Sequence, residues 1–329
     1  MFWNRSKRRG KIVNLLVVTM LIVGTIPLVI SGYNLISYNK GILTTDQQLL
    51  HLQICKSTAD EISLFLQSCL NTVTPLVSTL ELGFNPADPK NIFYDSKTRE
   101  LLNALFQSNN QILNIRALYL DRRGVQAGYR IREESELADE MSAVLDQCLK
   151  SQYTYISRPY YSEDFNQIVF VIGRTLLVNN KVQGVITVVF SMSSVYKTIQ
   201  RVSVSRNTAF LVDSKGTIIL HPEIRVIRSH ISIAKSSIFQ ELKSLRSHAI
   251  STIPFTDTTG DEAVKMIGTV YMIPESDVGW GIVVQTPEDV ANVVVQNMQR
   301  QTVYWILLSI ILALLMSYLF SQRISIPIQ

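Results

Sequence analysis

The sequence is poor in charge. Only 17% of its 329 residues are Asp, Glu, Lys or Arg, against 47% hydrophobic, and the mean hydropathy is +0.18. A soluble domain carries about a quarter charged residues, so part of the apolar content is expected to face lipid. Cysteine is also scarce: Cys55, Cys69 and Cys148 are an odd number with no C-x-x-C, which excludes a disulfide framework. The four histidines, His51, His221, His230 and His248, are scattered, so no zinc pattern exists. No P-loop, no Ser/His/Asp order and no metal cluster is visible, and no cofactor is expected. Basic surface is lacking too, although the formal charge is +5 and the pI about 9.0. Arg5, Lys7, Arg8, Arg9 and Lys11 sit at the N-terminus and Arg323 near the other end, leaving 25 Lys and Arg against 26 Asp and Glu. A chain neutral over its bulk does not bind a phosphate backbone, so nucleic acid is not an expected partner.

What is present begins with two charge-free stretches. Residues 12–36 hold an apolar core at 12–30, long enough to cross about 30 Å of hydrocarbon. A cleaved signal peptide would have an apolar region of about 7–15 residues followed by small residues. Here the run is longer and Ser31-Gly32-Tyr33-Asn34 follows, so an uncleaved span is expected. Residues 303–320 form the second stretch, with Tyr304, Trp305 and Tyr318 placed as interfacial aromatics. The basic tail, residues 1–11, puts the N-terminus in the cytoplasm by the positive-inside rule. Two spans return the C-terminus there and leave residues 37–302 outside a bacterial inner membrane.

The extracytoplasmic segment opens with a long helix, residues 37–82. Leu52, Cys55, Ala59, Ile62, Leu66, Cys69, Val73, Leu76 and Leu80 alternate at spacings of three and four, an apolar seam of heptad period. The seam packs either on the protein's own sheets or against a second copy in a parallel homodimer, where Cys55 or Cys69 could each face its counterpart. Pro75 predicts a kink, and Gly83 with Asn85-Pro86-Ala87-Asp88-Pro89 ends the helix.

Two strand-rich regions of the same order follow, at residues 83–202 and 203–288. In the first, strands at 115–120 and 125–131 flank Asp121-Arg122-Arg123-Gly124, a helix covers 135–152, and β-rich runs occupy 153–161, 167–178 and 182–192, with an Asn179-Asn180 turn. A short helix at 193–201 closes it. In the second, strands at 208–212 and 217–220 flank Asp213-Ser214-Lys215-Gly216, a helix covers 236–246, and strands occupy 249–255, 263–273 and 280–285. Asp121 and Asp213 are read as turn residues rather than catalytic groups. A helix over 289–302 then runs into the second span. The fold class is therefore α+β: a long helix and two tandem antiparallel-sheet domains between two transmembrane helices.

This order resembles the double Cache sensor region of bacterial transmembrane receptors, with its PAS-like domains. Phe210-Leu211-Val212-Asp213-Ser214-Lys215-Gly216-Thr217-Ile218-Ile219-Leu220-His221-Pro222 is similar to that family's membrane-proximal hairpin, and Gly279-Trp280-Gly281-Ile282-Val283-Val284 to its last strand. Arg323-Ile324-Ser325-Ile326-Pro327-Ile328, within residues 321–329, resembles the start of a HAMP linker. The resemblance implies a longer receptor whose distal domain binds a small molecule and whose second span relays a displacement to a cytoplasmic output. A histidine kinase of a two-component system is the expected output; a chemoreceptor rod or a diguanylate cyclase is the alternative, and an envelope protein-interaction module is the alternative of another class. The segment itself is read as non-enzymatic. In the amino-acid-binding branch an Asp on the last distal strand takes the ligand's ammonium, but Gly184-Val185-Ile186-Thr187-Val188-Val189-Phe190-Ser191 carries Val189 there. The distal region offers arginines and tyrosines instead. A small organic anion is the expected ligand, held by Arg130, Arg158 or Arg174 with Tyr129 and Tyr160, since Arg pairs a carboxylate bidentately and Tyr adds ring contact and a hydroxyl.

Overall fold

The computed structural model describes residues 3–84, 88, 91–151, 153–203, 207–244, 250–257, 263–273, 279–291 and 293–325. The break at 85–87 and 89 and the HAMP-like residues 326–329 lie outside these, as do parts of the expected 236–246 helix and 249–255 strand. The chain forms two compact units, residues 50–287 and a second made of residues 1–49 with 288–329.

The larger unit begins within α1 (Trp3–Leu82), which is helical throughout, including at Pro75. Then come α2 (Ser96–Ser108), the hairpin β1 (Ile112–Tyr119) and β2 (Gly124–Gly128), and α3 (Glu136–Ser151). Two short strands, β3 (Tyr155–Ile156) and β4 (Tyr160–Ser162), replace the single run expected over 153–161. The long hairpin β5 (Gln167–Val178) and β6 (Lys181–Ser191) completes the first sheet, and α4 (Ser193–Val202) follows. The second sheet contains β7 (Thr208–Val212), β8 (Ile218–Leu220), β9 (Ile250–Asp257), β10 (Val264–Met272) and β11 (Gly281–Pro287), with α5 (Ile224–Arg228) and α6 (Ser237–Ser244) inserted after β8.

The sheets share one connectivity. Their strand orders are β2-β1-β6-β5-β3, with β4 also on β5, and β8-β7-β11-β10-β9. In each, the last strand returns to lie beside the first. All the pairings are antiparallel. The repeat read from the sequence is thus a repeat of topology.

Turn chemistry fixes the hairpins. Asn179 and Asn180 both have positive φ (50° and 61°), the geometry of a two-residue type I′ turn. Asp213 Oδ1 accepts from the amides of Lys215 (2.9 Å) and Thr217 (2.8 Å), and Gly216 takes φ 82°. Asp121 Oδ1 accepts from the Arg123 amide at 3.1 Å. Both aspartates thus hold turns, as expected. The first hairpin differs in one respect: Arg122, with φ 64°, takes the left-handed position. Gly124 is required for closeness instead, because an added Cβ would lie 1.9 Å from the Ala117 carbonyl.

The α1 seam is settled by burial. Cys55, Ala59, Ile62, Leu66, Cys69, Val73, Leu76 and Leu80 join one cluster with Phe170, Ile172, Ile186 and Phe190 of the first sheet and Leu211, Ile282 and Val284 of the second. The helix is a spine along one face of both sheets. Leu52 alone of the seam is exposed. Trp280 ties the sheets together, meeting Phe170 edge-on at 6.4 Å. On their opposite faces the first sheet packs under α3 and the second under α6, through separate cores.

His51 pins α1 to the end of β11. Its Nε2 lies 2.8 Å from Thr286 Oγ1, which itself donates to Asn207 Oδ1 at 2.5 Å. The Thr286 proton is thus committed, so His51 Nε2–H is the donor. His51 Nδ1 is buried without a partner, and burial holds the imidazole pKa below its ordinary value.

The smaller unit holds the remainder of α1, α7 (Glu288–Ala291) and α8 (Val293–Ser325). Among the described residues one helix is long and apolar enough to cross a membrane, at Gln296–Met316; the apolar stretch Ile22–Asn34 is shorter. Val303, Trp305, Leu308, Ile311, Leu312 and Leu315 are all at least half exposed. This exposed apolar surface is what a membrane-crossing helix presents. α1 and α8 approach closely within this unit, since a Cβ at Gly32 would lie 2.6 Å from Thr302 Cγ2.

Candidate functional site

The candidate site lies on the α3 side of the first sheet. Strand register sets its rows. Gln126, Arg116, Thr187, Gly173 and Tyr155 stand opposite one another across β2, β1, β6, β5 and β3. The next row on this face carries Asn114, Val189 and Val171, and the one beyond has Ser191, Val169 and Tyr160. Alternation sends Ile115, Ile186, Ile172 and Phe170 to the opposite, α1 side.

This face combines an apolar floor with polar groups that lack partners. Val169, Val171, Val185 and Val189 form the floor with Leu137, Met141 and Val144 of α3. Arg116 Nε, Asn114 Oδ1, Thr187 Oγ1, Tyr160 Oη, Ser162 Oγ and Asp164 Oδ2 are buried with no hydrogen-bond partner. A folded protein leaves few such groups unsatisfied, so six on one side of one sheet make this face the candidate site.

A cavity of about 610 Å³ opens between the 130–137 segment that leads into α3 and the β4–β5 turn at 162–164, and of these six groups Ser162 and Asp164 line it. Its size is in the usual range for small ligands. Arg130, Arg132, Glu133, Asp164 and Ser162 are among its walls. Arg132 Nε bonds Asp164 Oδ1 at 2.9 Å, which leaves the buried Oδ2 as acceptor. Burial depresses the Arg116 pKa, and the Glu133 carboxylate of the cavity wall partly restores it. Burial raises the Tyr160 phenol well above its ordinary pKa, reinforced by Glu140, Glu136 and Asp164, so its hydroxyl stays a donor. Burial likewise raises the Glu140 carboxyl, against the pull of Arg158.

The expected site residues are only partly brought together. Tyr160 lies on this face with its hydroxyl unpartnered. Arg130 is exposed on the cavity wall. Tyr129 borders a neighbouring cavity, its ring 5.4 Å from Phe106 and 6.1 Å from Phe165. Arg158 is exposed beside Glu140. Arg174 is not brought to this group. It falls on the α1 side of β5, where its Nη1 donates to Thr74 Oγ1 at 2.5 Å. The period of two explains this: Val169, Val171 and Gly173 face α3, so position 174 faces α1. Sequence reading missed Arg116, Asn114 and Thr187, because only register shows that they share a row or a face. It also found no carboxylate for an ammonium group. Val189 does sit on this face, opposite Asn114, but Asp164 supplies a carboxylate from the β4–β5 turn.

A family model described as a Cache domain, in its double (dCache) form, matches residues 43–293. The chain belongs to the Cache-domain family. Cache domains of this kind are extracytoplasmic, ligand-binding sensory modules of membrane receptors. No curated protein matches the sequence significantly. Among solved structures, this Cache chain is similar to the ligand-binding domain of the Campylobacter jejuni chemoreceptor Tlp3 in complex with L-valine. They share 13% identity at a TM-score of 0.56, over 78% of this chain and 98% of that one. It is also similar to the ligand-binding domain of the Pseudomonas aeruginosa PAO1 amino-acid chemoreceptor PctC in complex with GABA (15% identity, TM-score 0.55, 74% and 99% covered). A third is the ligand-binding domain of Pseudomonas fluorescens CtaA in complex with L-leucine (14%, 0.54, 76% and 99%). At these identities the likeness establishes the fold.

Proposed function

We propose that residues 37–302 are the ligand-sensing region of a two-span receptor of the bacterial inner membrane, and that the first Cache domain binds a small organic anion. The unpartnered donors on the α3 face carry this reading. Arg116 Nε, Tyr160 Oη and Thr187 Oγ1 are buried, share one face and want an acceptor. A carboxylate offers about four lone-pair sites. Arg116 is the anchor in this reading, Tyr160 and Thr187 add hydrogen bonds, Arg130 stands on the cavity wall and Tyr129 borders the neighbouring cavity.

Asp164 Oδ2 favours a second version, in which the anion also carries an amino group. The neighbours solved with valine, leucine and GABA agree with that version. Calorimetry of the full chain in nanodiscs, with isovalerate against L-valine and butyrate against GABA, separates the two. Binding of the plain acids, lost in Arg116→Gln, supports the anion. Binding of only the amino compounds, lost in Asp164→Asn, supports the zwitterion. Silence across the panel overturns both.

The signal passes, in this proposal, from the second sheet along β11 into α8 and a HAMP linker. It biases two states of a histidine kinase in a parallel homodimer. The chemoreceptor output is the second reading, favoured by the solved neighbours, which are chemoreceptor domains. With the α1 seam already buried, a dimer contact uses another face of the helix, where Leu64 is 66% exposed. Cross-linking through a cysteine placed at position 64 tests this.

A further inference from the structure

The neighbouring cavity that Tyr129 borders is about 670 Å³ and lies where α2 runs into β1 and the β4–β5 turn enters β5. Its size is again that of a small-molecule site. Aromatic rings form one side, with Ile112 and Leu113 beside them. Tyr129 meets Phe106 edge-on, at an interplanar angle of 86°, and Phe165 at 59°. The rings therefore make an angled corner, not a parallel slot for a flat molecule. Tyr129 is 58% exposed although it belongs to this cluster, so much of its surface stays uncovered.

The polar lining carries almost no charge. It comprises the amides Gln107, Asn109, Asn110 and Gln167, the serines Ser191 and Ser193, and one acid, Asp164. No Arg or Lys is among the described residues that line it, so an anion finds no counter-charge. Asp164 Oδ1 is already paired with Arg132 Nε at 2.9 Å, so a cation finds no unmatched charge either. What remains is hydrogen bonding. The Asp164 side chain is 4% exposed, and its Oδ2 is a buried acceptor without a partner. Asn109 Oδ1 accepts from the Gln111 amide at 3.0 Å, which leaves its Nδ2 to donate. Gln167 Oε1 accepts from the Ser191 and Ser193 hydroxyls at 2.7 Å each, which leaves its Nε2 to donate. A buried acceptor, amide donors and an uncovered ring together suit an uncharged molecule whose hydroxyls both donate and accept.

We propose that this cavity is a second ligand site, taking a monosaccharide. A sugar ring is uncharged and puckered, as the angled corner requires. One of its faces carries C–H groups, slightly positive, which pack on the negative face of an aromatic ring. Its rim carries neighbouring hydroxyls, which donate to Asp164 Oδ2 and accept from the Asn109 and Gln167 amides. Tyr129 is the platform. The inference does not rest on the anion reading, since Arg116, Tyr160 and Thr187 are not among the described residues that line this cavity. Asp164 borders the 610 Å³ cavity as well, so the test is read at Tyr129.

The experiment is saturation-transfer NMR with calorimetry of the full chain in nanodiscs, using D-glucose, D-galactose, D-mannose and D-ribose as probes. Empty discs are subtracted. Cyclohexanol (a ring with a single hydroxyl), adenine and tetramethylammonium are the counter-probes. At least one sugar is expected to bind, with transfer strongest at the C–H protons of one ring face. Tyr129→Ala should weaken it about tenfold, while Tyr129→Phe and Arg116→Gln leave it unchanged. The Tyr129 hydrogen bonds to Leu113 and Asn114 are made by its backbone, so both Tyr129 variants should melt near the parent. The probe panel and the face-selective transfer decide the question even if Tyr129→Ala fails to fold. Absence of binding by all four sugars, equal binding in Tyr129→Ala, or binding of a counter-probe in place of the sugars overturns the proposal. Sugar binding lost in Arg116→Gln also overturns it, by placing the sugar in the anion site. Loss of acid binding in Arg116→Gln bears only on the anion reading, so the two readings fail separately.

Discussion

Tyr160→Phe is predicted to move stability and ligand affinity in opposite directions. The Tyr160 side chain is 3% exposed, packed among Val169, Val171 and α3, and its hydroxyl has no partner. A hydroxyl buried without a hydrogen bond costs about 1–3 kcal/mol in proteins. Phenylalanine keeps the ring and its packing and removes that cost, so the empty protein should gain about 1 kcal/mol. For a unit of this size that is about 2–4 °C in Tm. A phenol held neutral by its surroundings can donate to a ligand carboxylate. Such a bond to a charged acceptor contributes about 1.5–3 kcal/mol, so the variant should bind the acid about 10- to 100-fold more weakly. Thermal unfolding followed by near-ultraviolet circular dichroism gives the first quantity and calorimetry the second. A melting point lowered by several degrees would mean the hydroxyl was already bonded in the empty protein. A stabilised variant with unchanged affinity would refute its role in binding.

Three further outcomes follow from the packing. Gly173→Val should destabilise by about 1–3 kcal/mol, because even a Cβ there lies 2.5 Å from Val144 Cγ1 and 2.7 Å from Cys148 Sγ; a melting temperature equal to the parent's would count against the α3 packing. The folded-state pKa values of His51 and His221 are both lowered by burial. The unfolded chain therefore binds more protons as pH falls through about 6.5, and stability is present above that value and declines below it. His51→Gln should shallow this decline in melting curves taken from pH 8 to 5, and an unchanged slope would be the contrary result. Burial pushes the Cys69 thiol up to about 12 and the Cys148 thiol to about 11, and raises Cys55 as well. Ellman's reagent should find no reactive thiol until the chain is denatured, and non-reducing gels should show no disulfide dimer; rapid native labelling would contradict the buried seam.

Much of the architecture is written in local patterns. The heptad spacing of the α1 seam, the Asn179-Asn180 turn and the two Asp-x-x-Gly turns are short-range signals, and each sits where its physics demands. Other elements carry no such signal. α2 and α5 were not legible, since α5 has five residues and α2 buries only Thr98 and Leu102 fully. Whether the α1 seam met a sheet or a second helix was equally open, because an apolar stripe does not name the surface that covers it.

The site divides the same way. Sequence alone determined the order of the two domains, through periodicity and turn chemistry, and the resemblance carried by its motif order implied the sensor class, with Tyr160 among the candidates. Only the tertiary structure shows which arginine shares the α3 face. Arg116 and Thr187 are 71 positions apart and become neighbours through the β1–β6 register. Arg174 is turned away to Thr74 by the same period-two rule that brings Gly173 under α3. A strand's sequence fixes which residues alternate. Which face meets the cavity, and which distant residues share it, depends on pairing between strands that the chain alone does not record.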